Sequence, residues 1–175
     1  MQNSANYFSI PLLGFAASSG TGKTTLLTQL IPLLKAKNLQ IAVIKHSHHN
    51  FEIDHEGKDS FRLRQAGATP MVLVSKHRRV IIEEFENQIE PTLENQITLF
   101  NPTEIDLILV EGFRNAPFPK IELHRTELNK PLLHLNDSYI IAIASNTKLD
   151  TNLPQLNLNE PAEIADFILH TFLKL

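Results

Sequence analysis

The segment Ala16–Thr25, "AASSGTGKTT", sets small residues, two glycines, a lysine and adjacent hydroxyls in an order suited to holding a phosphate chain. From Ala17 to Thr24 it follows the P-loop pattern, with Ala17 where the first glycine usually stands. Gly20 and Gly22 permit backbone conformations that turn successive N–H groups inward onto an anion. Lys23 supplies a point charge for β- and γ-phosphates, and Thr24 offers a hydroxyl to Mg²⁺. Ser19, Thr21 and Thr25 complete the candidate nucleotide contacts. Ser18 stands where the partition-type ATPases carry an additional lysine, so that subgroup is set aside.

Hydrolysis at such a loop also needs an acid at the end of a neighbouring strand to hold the Mg²⁺ shell. "LILVEG" provides it as Glu111, after four apolar residues. Base recognition has a weaker candidate. After "YIIAIAS" comes "NTKLD", in which Asn146, Lys148 and Asp150 form the guanine-reading pattern Asn-Lys-x-Asp with one extra residue. Base contact by Asn146 and a polar turn closing a strand are both compatible with that spacing. The stretch "IKHSHHNFEID" concentrates Lys45, His46, His48, His49, Glu52 and Asp54, and three chemistries compete for it: a metal site, an anion-facing rim, or a solvated connection. Adjacent histidines seldom ligate one ion, and a closed zinc site needs four ligands.

These groups can meet only if strands and helices carry them to one edge. "LLGFAA" (Leu12–Ala17) is a short apolar run suited to a buried strand, and the "KTTLLTQLIPLLKAK" that follows has helical spacing, with Pro32 expected to kink it. Further strands are expected at Gln40–His46, Met71–Ser75, Asp106–Phe113, "KIELHR" and Tyr139–Ser145. "RRVIIEEF" is expected as a hairpin partner to Met71–Ser75. "DSFRLRQAGA" reads as a short polar helix, and Glu86–Phe100 has helical length with a late start or break at Pro91. Glu160-Pro161 opens a C-terminal amphipathic helix. Alternating strands and helices imply an α/β fold: a mostly parallel sheet, helices on both faces, and an added antiparallel hairpin region. Running beside the P-loop strand, Gln40–His46 would deliver Lys45 and His46 to the phosphate edge, in the position of a switch segment.

With 175 residues, a single domain spanning 1–175 is expected. A net charge of −3 supplies no general pull toward nucleic acid or anionic lipid, so any anion site is local. The absence of cysteine excludes disulfides and thiolate metal sites. No apolar run reaches the roughly 18 residues of a membrane span, and the start "MQNSANYFSI" does not read as a signal peptide. A cytoplasmic location is expected.

The P-loop followed by Lys-His-x-His-His, Gly57-Lys58-Asp59-Ser60 and Val110-Glu111-Gly112-Phe113 closely resembles the molybdopterin-guanine dinucleotide biosynthesis protein B (MobB) family of GTP-binding proteins. That resemblance spans most of the chain. It implies a homodimeric P-loop NTPase with weak GTPase activity, using GTP and Mg²⁺ as cofactors. It also implies an accessory role in attaching GMP to molybdopterin. The implied partner is the molybdenum cofactor guanylyltransferase, with molybdopterin or its guanine dinucleotide as a further ligand. The Val-Glu-Gly segment is also similar to that of dethiobiotin synthetase, and by that analogy Thr24, Asp54 and Glu111 hold the metal. Lys23, Asp54 and Glu111 are then the candidate catalytic residues. Two other functions fit the same residues: a small-molecule kinase or ligase similar to dethiobiotin synthetase, and a metal-delivery GTPase using the histidine loop. The motifs contain no evident catalytic glutamine or arginine finger, so slow intrinsic turnover is expected.

Overall fold

Leu107, Ile108, Leu109 and Val110 have no solvent exposure at all, as befits a strand covered on both faces. The computed structural model describes residues 9–47, 50–87 and 90–175. Its elements run β1 (Leu12–Ala17), α1 (Lys23–Lys35), β2 (Ile41–Lys45), α2 (Asp59–Gln65), β3 (Met71–Val74), β4 (Arg79–Ile82) and α3 (Leu93–Ile97). They continue with β5 (Leu107–Glu111), β6 (Lys120–His124), β7 (Ile140–Ser145), β8 (Gln155–Asn157) and α4 (Pro161–Asp166). The chain forms two units, one of residues 1–46 and 92–175, the other of residues 47–91.

The first unit is built on a six-stranded sheet in the order β2-β5-β1-β6-β7-β8, every neighbouring pair parallel. Alternation along the strands divides the core between two faces. Leu13, Phe15, Leu109, Ile121 and Leu123 meet Leu26, Leu30 and Leu34 of α1 and Ile164 of α4 on one side. Leu12, Ala42, Ile44, Ile108 and Val110 meet Leu93 and Ile97 of α3 on the other. The expected fold class is therefore present, helices on both faces included.

Several details differ from expectation. The strand at Gln40–His46 is shorter, Ile41–Lys45, and it pairs with β5 rather than with β1. The reason is burial: β5 is apolar toward both layers and takes an interior position, whereas β2 leaves Val43 44% exposed and stays at the edge. Within Glu86–Phe100 the late start expected at Pro91 is present: α3 is begun by Thr92, whose hydroxyl accepts the Asn95 amide. Strand β8 was not anticipated, and beyond α4 the chain widens to a π-helical turn over Phe167–Leu173.

The second unit contains α2 and the expected antiparallel hairpin, β3 against β4, with Val72 opposite Ile81. Among the described residues no helix is long and apolar enough to cross a membrane.

Candidate functional site

The phosphate loop begins where β1 ends. Gly20 and Gly22 have φ of 82° and 96°, the left-handed region in which a side chain would be strained. Gly22 is the N-cap of α1, and no side chain caps that helix or places an acid in its first turn. The first-turn N–H groups and the positive end of the helix therefore lie at the loop. Ser19, Thr24 and Thr25 lie exposed along it. Thr21 differs: it is 2% exposed, and its hydroxyl donates to the Ser18 carbonyl at 2.7 Å, so its side chain shapes the loop rather than facing a ligand.

At the end of β5, Glu111 gathers two cations. Lys23 Nζ lies 3.5 Å from its Oε1, and Lys45 Nζ, from the end of β2, 3.4 Å from its Oε2. This juxtaposition follows from the register Lys45↔Glu111. His46 continues the ladder, its amide donating to the Glu111 carbonyl at 2.8 Å, and its ring stacks on Phe113 with centroids 4.5 Å apart. Gly112 makes this possible: a Cβ there would sit 2.6 Å from His46 Cβ. His48 and His49 lie outside the described residues, so the histidine stretch is represented here by His46 alone.

On the other side of β1, the ends of β6, β7 and β8 carry polar groups, of which the sequence motifs singled out Asn146 but not Arg125 or Glu127. Arg125 Nε donates to the Thr21 carbonyl at 3.0 Å, and its Nη2 donates to Asn159 Oδ1 at 3.1 Å, tying β6 to the phosphate loop. Asn146 accepts the Thr126 amide and donates to Glu127 Oε1 at 2.6 Å. The connection bearing Glu127 is anchored from the strand itself. Glu122, 1% exposed, accepts the amides of Leu133 and His134 and pairs with His134 Nδ1 at 3.0 Å. Lys120, 2% exposed, donates to Asp137. The only sequence signal for Arg125 was its place at the end of the expected strand "KIELHR".

Asp54 belongs to the second unit, and the structure engages both its oxygens there. Oδ1 accepts Ser60 Oγ at 2.9 Å and the His55 amide at 3.0 Å, and Oδ2 accepts Arg64 Nε at 3.3 Å. Arg64, a buried guanidinium, also bonds Glu52 and Glu84. Thus the structure brings Lys23, Lys45, His46 and Glu111 together and holds Asp54 in a network of its own unit. Burial works against the Asp54 charge, but the bonds from Ser60, His55 and Arg64 prevail and hold its pKa below the ordinary value. A carboxyl with a lowered folded pKa contributes stability that is complete above its unfolded pKa and lost as pH falls through the folded one. Amide-exchange protection of α2 should therefore be constant near neutrality and decline below about pH 4. Asp54→Asn should start from lower protection and lose that pH dependence; an unchanged acid profile would refute the network's role.

The model for the family "Molybdopterin guanine dinucleotide synthesis protein B" matches residues 12–146. The molybdopterin-guanine dinucleotide biosynthesis adapter protein of Haemophilus influenzae is 46% identical over 166 residues, covering 93% of this chain and 92% of its own length. The protein of the same description from Escherichia coli K12 is 40% identical over 161 residues, covering 91% and 92%. The crystal structure of Bacillus subtilis MobB superposes with a TM-score of 0.72 at 25% identity, covering 91% of this chain and 96% of that one. With the phosphate loop, the Lys45–Glu111 register and the parallel sheet that carries them in place, the chain belongs to the MobB family.

Proposed function

We propose that this chain is an adapter in molybdopterin guanine dinucleotide biosynthesis that binds GTP with Mg²⁺ and hydrolyses it slowly. The adapter role is supported by the description shared by the Haemophilus influenzae and Escherichia coli relatives. The observation that carries nucleotide binding is the convergence of Lys23 and Glu111, 3.5 Å apart, at the uncapped N-terminus of α1 behind two left-handed glycines. A triphosphate laid over this loop draws Lys23 onto its β- and γ-oxygens, while the Gly20–Thr25 amides neutralise the remaining charge.

The metal fits the donor set. Mg²⁺ prefers hard oxygen ligands, and the Thr24 hydroxyl and Glu111 carboxylate supply them. The Glu111 carboxylate, 16% exposed, already collects two ammonium groups, which marks the position as cation-attracting. When bound, the metal would neutralise charge between the β- and γ-phosphates. The protein's own part is to position the phosphates, with Lys45 available beside Glu111. Titration of Mg²⁺-GTP into the wild type and Lys23→Ala, with Asp54→Ala alongside, tests the reading. Failure of the wild type to bind saturably would sink it.

The guanylyltransferase of the pathway is the proposed partner, in the cytoplasm, and the working form is a homodimer. Support for self-association comes from the second unit. Val72, Val74 and Ile81 lie on one face of the hairpin at 52%, 69% and 61% exposure, and a lone two-stranded ribbon is marginal without a covering layer. Val72→Glu should convert a dimer to a monomer in light scattering; a wild-type monomer at micromolar concentration would count against the dimer.

A further inference from the structure

The geometry points to Glu127, held in place by Asn146, as the group that reads the base of the bound nucleotide, accepting N1–H and the 2-amino group of guanine. This rests on the nucleotide-binding reading above and extends it to specificity.

The direction of the nucleotide follows from the sheet order. Lys23 meets Glu111 on the β5 side of β1, so the terminal phosphate and its metal lie toward β5 and β2. The nucleoside end must then leave over the opposite neighbours, β6 and β7. Three groups stand just past the ends of β6, β7 and β8. The register His124↔Ser145 and Ser145↔Asn157 places Arg125 and Asn146 level with each other and Asn159 nearby. Arg125 joins this edge to the phosphate loop through the Thr21 carbonyl. Glu127 stands on the short 3₁₀ turn Thr126–Leu128, exposed to solvent, with Oε1 2.6 Å from Asn146 Nδ2.

The chemistry suits guanine. Its Watson–Crick edge offers two adjacent donors, N1–H and the 2-amino group, and an ionised carboxylate accepts both while keeping lone pairs for a holding amide. Adenine offers no such donor pair. Asn146 keeps one N–H and one lone pair beyond its bonds to Glu127 and Thr126, but it has no ionised carboxylate with which to accept both guanine donors. Asp150, the acid suggested by the imperfect Asn-Lys-x-Asp spacing, is not the acid that Asn146 holds. Ionisation of Glu127 is secured by its own backbone N–H and the Asn146 amide, which keep its pKa below the ordinary value.

Displacement of a fluorescent GDP analogue by GDP, IDP, XDP and ADP, with Mg²⁺ present, is the test. The wild type should prefer GDP to IDP, which lacks the 2-amino group, and to ADP, each by about tenfold or more, the scale of one charged hydrogen-bond pair. Glu127→Gln should reverse the order toward XDP, because an amide can donate to the 2-carbonyl of xanthine. Asn146→Ala should weaken GDP while leaving ADP unchanged. Lys23→Ala should weaken all four bases equally, which separates the phosphate site from the base site. A Glu127→Gln protein that keeps the wild-type order overturns the inference while leaving nucleotide binding intact. So does a change of order in Asp150→Asn. A wild type that binds none of the four overturns both readings.

Discussion

Lys23→Ala should weaken GTP binding by about 100-fold, corresponding to roughly 2.7 kcal/mol, while the melting temperature stays near that of the wild type. The ammonium group is the only side-chain cation that the motif aims at the β- and γ-phosphates, and its contact there is charge-assisted. Its stabilising role in the fold is small by comparison. Lys23 is 24% exposed, and its 3.5 Å pairing with Glu111 is duplicated by Lys45 at 3.4 Å. A partly solvated pair of this kind contributes little to stability, and alanine is a good residue for the start of α1. Calorimetric titration beside a thermal melt checks both halves. Equal affinity in the two proteins would remove Ser19–Thr25 from consideration as a phosphate site. A collapsed melt would instead assign Lys23 to folding, and Lys23→Met, which keeps the stem, would then separate packing from charge.

Gly112→Ala should cost about 2–4 kcal/mol and lower the melting temperature by roughly 10 °C. Two effects add. Gly112 has φ of 99°, where an L side chain is strained. The new methyl would also lie 2.6 Å from His46 Cβ and 3.1 Å from the His46 carbonyl oxygen, so backbone as well as side chain must yield. That shift opposes the His46–Glu111 ladder bond and the His46–Phe113 stacking. Because Glu111 is the preceding residue, the damage should extend to Mg²⁺-dependent nucleotide affinity. His46→Gly in the Gly112→Ala background removes the 2.6 Å contact and should restore part of the loss. Wild-type melting of Gly112→Ala alone would contradict the close approach.

The glycine-rich loop between β1 and α1 was legible in the sequence because its signals are local. The glycines, Lys23 and Thr24 are neighbours in the chain, and the strand–loop–helix context was readable from Leu12–Ala17 and the leucines after Lys23. Glu111 was legible for a related reason, an acid ending an apolar run. The burial of Lys120, Glu122 and His124 was not legible. "KIELHR" alternates apolar and polar residues, yet the structure buries all five residues of β6. The connection that covers it supplies Asp137, Leu133 and His134 as partners, and these lie 11 to 17 positions away from the groups they satisfy.

Asp54 and Asn146 show the same limit at the site. Analogy with dethiobiotin synthetase offered Asp54 as a metal ligand, and an imperfect Asn-Lys-x-Asp spacing set Asp150 with Asn146 in a guanine-reading pattern. Folding gave Asp54 to Arg64 and Ser60, and Asn146 to Glu127, across separations of 10, 6 and 19 residues. By itself the sequence determined the fold class and the position of the glycine-rich strand–loop–helix turn, because periodic burial and turn chemistry depend on near neighbours. Only the tertiary structure decided that β5 stands between β1 and β2, which carboxylate each cation meets, and which acid stands beside Asn146. Those choices depend on strand order, and strand order is settled by which faces of each strand the whole core can cover.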